Sequence, residues 1–183
     1  VYPGGTDNTG IGLSVEKNGN DIQVKCLQPI TNHEGSYKLK VPENMVLRIK
    51  SGCERGTSVD IQNMKNEVEV DVCENIKLRN VSGPLVLNTI SGNIDVVFGD
   101  LSNTRPISIA NISGEIDVTL PAKAGVNLEM KNVSGAMYSD FDFNADHKDM
   151  KRVGGENIET KLNGGGTDLK ITNVSGNIYL RKG

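Results

Sequence analysis

Aliphatic residues in this chain fall in short alternating runs that change phase at small polar interruptions. Upstream of each interruption the alternation reads Val59/Ile61, Ile107/Ile109, Leu128/Met130 and Leu169/Ile171. Downstream it resumes as Val68/Val70, Ile94/Val96, Ile116/Val118 and Ile178/Leu180. Alternate residues of a strand face one side, and the two series are out of step by one residue. The chain must bend between them for both to reach one core.

The bend recurs as a decapeptide, Φ-x-N-Φ-S-G-x-Φ-x-Φ, where Φ is aliphatic or Met. Its copies are IQNMKNEVEV at 61, LRNVSGPLVL at 78, LNTISGNIDV at 87, IANISGEIDV at 109, MKNVSGAMYS at 130 and ITNVSGNIYL at 171. Asn63, Asn80, Asn111, Asn132 and Asn173 hold the third position, and Thr89 holds it once. Ser-Gly follows in every copy but the first, which has Lys65-Asn66. Asn and Ser bond local backbone at corners and Gly relieves steric cost there, so positive φ is expected at Gly114 and Gly135.

Successive copies lie 17, 9, 22, 21 and 41 residues apart. A coil of about 20 residues, some coils carrying two corners, predicts an all-β parallel β-helix or β-solenoid. Each coil would stack about 4.8 Å above the last, with matching Asn side chains laddered between coils. The alternative is a β-sandwich, which also shows turns every 8–12 residues or so. LSVEKNGNDIQVKC predicts a hairpin turning at Asn18-Gly19 or Gly19-Asn20, and SYKLKV at 36–41 predicts another strand. Together they form an irregular N-terminal β cap expected to close the stack. Residues 1–10 read as a flexible lead-in and 11–183 as one domain.

Composition agrees with this reading. Among 183 residues, 18 Val and 15 Ile stand against 5 Ala, a bias toward pleated surfaces over helices. Twenty Asn and 21 Gly supply corners, and seven aromatics without Trp leave an aliphatic core. A net charge of −3 argues against nucleic acid as partner. No apolar run approaches the roughly 18–20 residues that span a bilayer. Cys26, Cys53 and Cys73 show no C-x-x-C spacing. They read as buried thiols or as one disulfide plus a free thiol, with the pair left open.

The segments VTLPAKAGVNLEMKNVSG, GAMYSDFDF and NGGGTDLKITNVSGNIYLRKG together resemble the bacterial adhesin-like repeat family. They also look related to the head domain of auto-transporter adhesins. The likeness spans roughly residues 36–183. It implies a right-handed β-solenoid on an exported, often lipid-anchored, envelope protein without enzyme activity or catalytic residues. The chain departs from the pattern at Lys65-Asn66 and in DHKDMKRVGGENIETKL, where coil regularity is expected to break.

The chemistry-bearing residues are sparse. Ser82, Ser91, Ser113, Ser134 and Ser175 lack a G-x-S-x-G setting and read as corner residues. His33 and His147, the two imidazoles, read as surface residues. Asp140, Asp142, Asn144 and Asp146 have the opening spacing of a calcium loop, but Ala145 and Lys151 replace its Gly and Glu. Phe141 and Phe143 alternate with them as in an ordinary strand. The ninth motif position forms an outward row of Glu69, Val86, Asp95, Asp117, Tyr138 and Tyr179. Its carboxylates suggest a polysaccharide-active enzyme; its tyrosines suggest a sugar-stacking surface. No basic residue is predictable beside it, and a solvated face is the simpler reading. NGGGTDL at 163–169 lacks the Lys-Ser/Thr of a phosphate loop and reads as a flexible approach to the last coil. No catalytic, cofactor or metal site is therefore expected. The chain reads as a non-enzymatic surface protein binding an unknown glycan or protein through a solenoid face. A structural or sensory envelope module and a polysaccharide-active enzyme are the alternatives.

Overall fold

The computed structural model describes residues 6–27, 36–53, 56–101, 105–143 and 156–183. They belong to two compact units, Val1–Leu39 and Lys40–Gly183. In the first, β1 (Leu13–Asn18) pairs antiparallel with β2 (Asp21–Cys26), and Asn18 sits opposite Asp21. The two-residue turn is therefore Gly19-Asn20, with Gly19 at φ 63°. Before the hairpin, the Asp7 carboxylate accepts the amides of Gly12, Thr9 and Gly10 at 2.8–2.9 Å. Those amides, Gly12 foremost, hold its pKa down to about 2. The strand expected at 36–41 is absent: Tyr37, Leu39 and Val41 alternate as a strand would, but lie exposed and unladdered.

The second unit is a parallel β-solenoid that alternates between two sheets. Coil 1 is β3 (Leu47–Lys50) and β4 (Val59–Gln62), and coil 2 is β5 (Val68–Val72) and β6 (Ile76–Val81). Coil 3 is β7 (Leu85–Ser91) and β8 (Ile94–Phe98), and coil 4 is β9 (Ile107–Ser113) and β10 (Ile116–Leu120). Coil 5 is β11 (Val126–Ser134) and β12 (Met137–Ser139). The chain returns as β13 (Glu156–Leu162) and ends in coil 6, β14 (Thr167–Ser175) and β15 (Ile178–Lys182). Sheet one runs β13-β11-β14-β9-β7-β5-β3 and sheet two β12-β15-β10-β8-β6-β4. Apart from β13, which pairs antiparallel with β11 and shares a sheet with β14, consecutive strands switch sheets and pair in parallel with the coils beside them, which excludes the sandwich alternative. All the aliphatic ribs on either side of the bends are buried, and they merge in one core. The expectation of coils in chain order fails at the end, because coil 6 lies between coils 4 and 5.

The repeated decapeptide makes two kinds of corner. Outgoing corners, from sheet one to sheet two, contain the copies at 87, 109, 130 and 171; return corners contain those at 61 and 78. In outgoing corners the strand runs straight through the Asn, and Gly114, Gly135 and Gly176 turn it at φ 122–132°. A Cβ on Gly135 would lie 2.0 Å from the Gly176 carbonyl oxygen. The Asn side chains do not ladder with one another here. The Nδ2 atoms of Asn111, Asn173 and Asn132 donate to the carbonyls of Gly92, Gly114 and Gly176 in the adjacent coil, at 2.9–3.0 Å. In return corners the Asn itself takes positive φ, 60° at Asn63 and 53° at Asn80, and there the two side chains do bond, at 2.7 Å.

The first outgoing corners lack the Asn-Ser-Gly sequence and carry a disulfide instead. Cys53 of coil 1 and Cys73 of coil 2 are joined, with Cα atoms 5.0 Å apart. The buried-thiol reading fails for Cys26 as well, which is exposed.

Candidate binding surface

Sheet two presents two outward rows. Side chains at matching strand positions stand above one another because the ladders are parallel and in register. One row runs Asp60, Lys77, Asp95, Asp117, Tyr179, Tyr138. The ninth-position row of the motif is therefore split. Asp95, Asp117, Tyr179 and Tyr138 come together on sheet two, while Glu69 and Val86 are neighbours on sheet one.

The second row supplies bases that the motif did not predict. Arg79 grips both carboxylate oxygens of Asp95, and Arg181 Nε donates to both oxygens of Asp117 at 2.8 Å. These hydrogen bonds raise the pKa of each guanidinium above its usual value. The signal was available for Arg181, which lies two residues beyond Tyr179 and so on the same face of its strand. Arg79 is harder to find, because no ninth-position residue shares its strand. With both oxygens of each aspartate bonded to a guanidinium, neither stands as an isolated acid or base.

At the coil 5 end of the sheet, Tyr138 and Tyr179 stack with ring centroids 5.1 Å apart and planes 10° from parallel. Offset aromatic stacking in this range adds about 0.5–1.5 kcal/mol beyond area burial. Arg181 lies 5.3 Å from the Tyr179 centroid, a cation–π contact held in place by Asp117. Tyr138 is 52% exposed on the edge strand of the sheet. Beside it Ser139, Asp140, Leu180 and Arg181 complete a half-open depression of about 250 Å³. Asp140 is held there by two bonds: its N–H donates to Leu180 O at 2.9 Å, and its carboxylate accepts Lys182 N–H at 3.2 Å.

Other candidates fare differently. Beyond Ser139 the chain bends, so 140–143 is not the expected strand, although Phe141 is buried and Asp142 exposed as alternation requires. Asn144, Ala145, Asp146 and Lys151 of the calcium spacing lie outside the described residues, as do His33 and His147. Among the described residues no group of three or more His, Cys, Asp or Glu is assembled. Ser91, Ser113, Ser175 and Ser134 form an exposed file along the outgoing corner, while Ser82 is half-buried at a return corner. No described helix is long and apolar enough to cross a membrane.

The Toastrack DUF4097 family matches residues 30–181. No curated protein and no solved structure is matched.

Proposed function

The chain belongs to the Toastrack DUF4097 family, a β-solenoid-like group of unknown function, and from that premise we propose a non-enzymatic binding module. It is exported to the bacterial cell envelope and takes a glycan on the outer face of sheet two. The observation that carries the reading is the Tyr138–Tyr179 stack over a depression edged by Asp140 and Arg181. A pyranose ring offers an apolar C–H face to an aromatic ring and hydroxyls to planar polar groups, and this surface supplies both. The Cys53–Cys73 disulfide supports export, because such bonds persist in oxidising compartments. The ion-paired state of Asp95 and Asp117 supports binding without turnover.

A glycan array read with the protein and with Tyr138→Ala tests this. Saccharide binding that falls roughly tenfold or more in the variant, with the melting temperature lowered by no more than about 2–4 °C, is expected; loss of one stacked ring is worth about that much. Equal binding by the variant, or a blank array, would remove the glycan. Release of reducing ends that Asp117→Asn abolishes would overturn the non-enzymatic reading.

A further inference from the structure

Coil 5 reaches the rest of the solenoid through coil 6. Among the described residues β12 pairs with β15, and β11 pairs with β14 on one side and β13 on the other. Neither strand of coil 5 is laddered to coil 4, which instead pairs with β14 and β15.

The path that produces this order is a hairpin split by another strand. Leu162, the end of β13, and Thr167, the start of β14, both sit opposite Val126 of β11. The four residues between them arch over the entry to β11. Asn163, Gly164 and Gly165 take φ of 49°, 86° and 87° to turn so tightly. A Cβ on Gly166 would stand 2.3 Å from the Gly125 carbonyl oxygen, so side chains are shut out where the two segments cross. The crossing is pinned by Thr167 N–H to Gly125 O at 3.1 Å. Asn163 Nδ2 also bonds the carbonyls of Ala122 and Ala124 at 3.1 and 2.8 Å. The NGGG run is thus a fitted bridge and not the flexible approach its composition suggested.

We propose that the C-terminal coil is a clasp. Strands β13 and β14 grip β11 from both edges, and β14–β15 carry the gripped coil onto coil 4. Coil 5 is then native only when coil 6 is in place, although coil 5 precedes it in the chain. In a solenoid stacked in chain order the last coil is the end of the pile and opens first. Here its opening strips β11, β12 and β13 from the stack as well. Tyr138 and Tyr179 come from the two coils joined this way, so the tyrosine stack forms as the clasp closes. The clasp is a property of the fold and stands whether or not the stack binds a glycan.

Native-state hydrogen exchange on the full chain tests it, using Ile171→Ala, which removes a fully buried rib of β14. Protection in β11–β13 is expected to fall by the same factor as in β14–β15, roughly tenfold or more for a buried Ile-to-Ala change. Wild-type protection retained in β11–β13 while β14–β15 exchanges would overturn the proposal. Should the variant not fold, the unmutated protein still decides in mild denaturant. β14–β15 at least as protected as β11–β12 supports the clasp, and a last coil that exchanges first refutes it.

Discussion

The outgoing and return corners are written in nearly the same ten residues and face their fourth position in opposite directions. Met64 and Val81, at return corners, are 2% and 0% exposed. Ile90, Ile112, Val174 and Val133, at outgoing corners, are 43–51% exposed. In five of the six corners the cause is where the chain spends its one unusual backbone angle; the corner at Gly92 takes no positive φ. Positive φ at the Asn turns the strand early and swings the next side chain inward. When the Asn stays in the strand its own amide is buried, the next residue points out by parity, and the Gly makes the turn. A local motif thus specifies that a bend occurs, and its place in the coil decides what the bend buries.

The sharpest way to break this comparison is to load the outgoing turn. Gly135→Val combines a φ of 126° with a Cβ 2.0 Å from a carbonyl oxygen. Backbone strain and overpacking each cost about 1–3 kcal/mol, so a loss of about 4 kcal/mol in urea unfolding is expected. Next comes truncation at the fourth position. Met64→Ala should cost about 2–5 kcal/mol and Ile112→Ala less than about 0.5 kcal/mol. Similar midpoint shifts for the two would remove the difference between corners. The disulfide sharpens the outgoing stack at its opposite end. Closing a separation of 20 residues is worth about 3 kcal/mol on the chain-entropy account. Reduction should lower stability by that amount, and no change on reduction would deny the bond a structural part.

Much of this is legible in the sequence alone. Phase-shifted aliphatic runs located the ribs, and all sixteen residues named from them are buried. The spacing of 9 between the copies at 78 and 87 is half a coil and marks the switch between corner types. Cys53 and Cys73 lie one coil length apart, a signal that would have named the pair. What the sequence hid were relations between coils. LRNVSG and ITNVSG do not say which sheet they leave. Nothing in the spacing of 41 residues tells a missing coil from a strand that doubles back as β13 does. The tyrosine stack and the Arg–Asp pairs depend on that inter-coil register, so the surface was legible only as one row of the right parity.

The order of coils at the end of the solenoid can be tested with paired cysteines in the exposed serine file. Ser175 stands between Ser113 and Ser134, one layer of about 4.8 Å from each, which leaves Ser113 and Ser134 about 9.6 Å apart. A disulfide needs Cα atoms within about 7 Å. In a Cys26→Ser background, Ser113→Cys with Ser175→Cys should therefore close on mild oxidation, and Ser113→Cys with Ser134→Cys should stay reduced. Bridging of Ser113 to Ser134 with none to Ser175 would mean that the coils stack in chain order, and would contradict the inserted last coil.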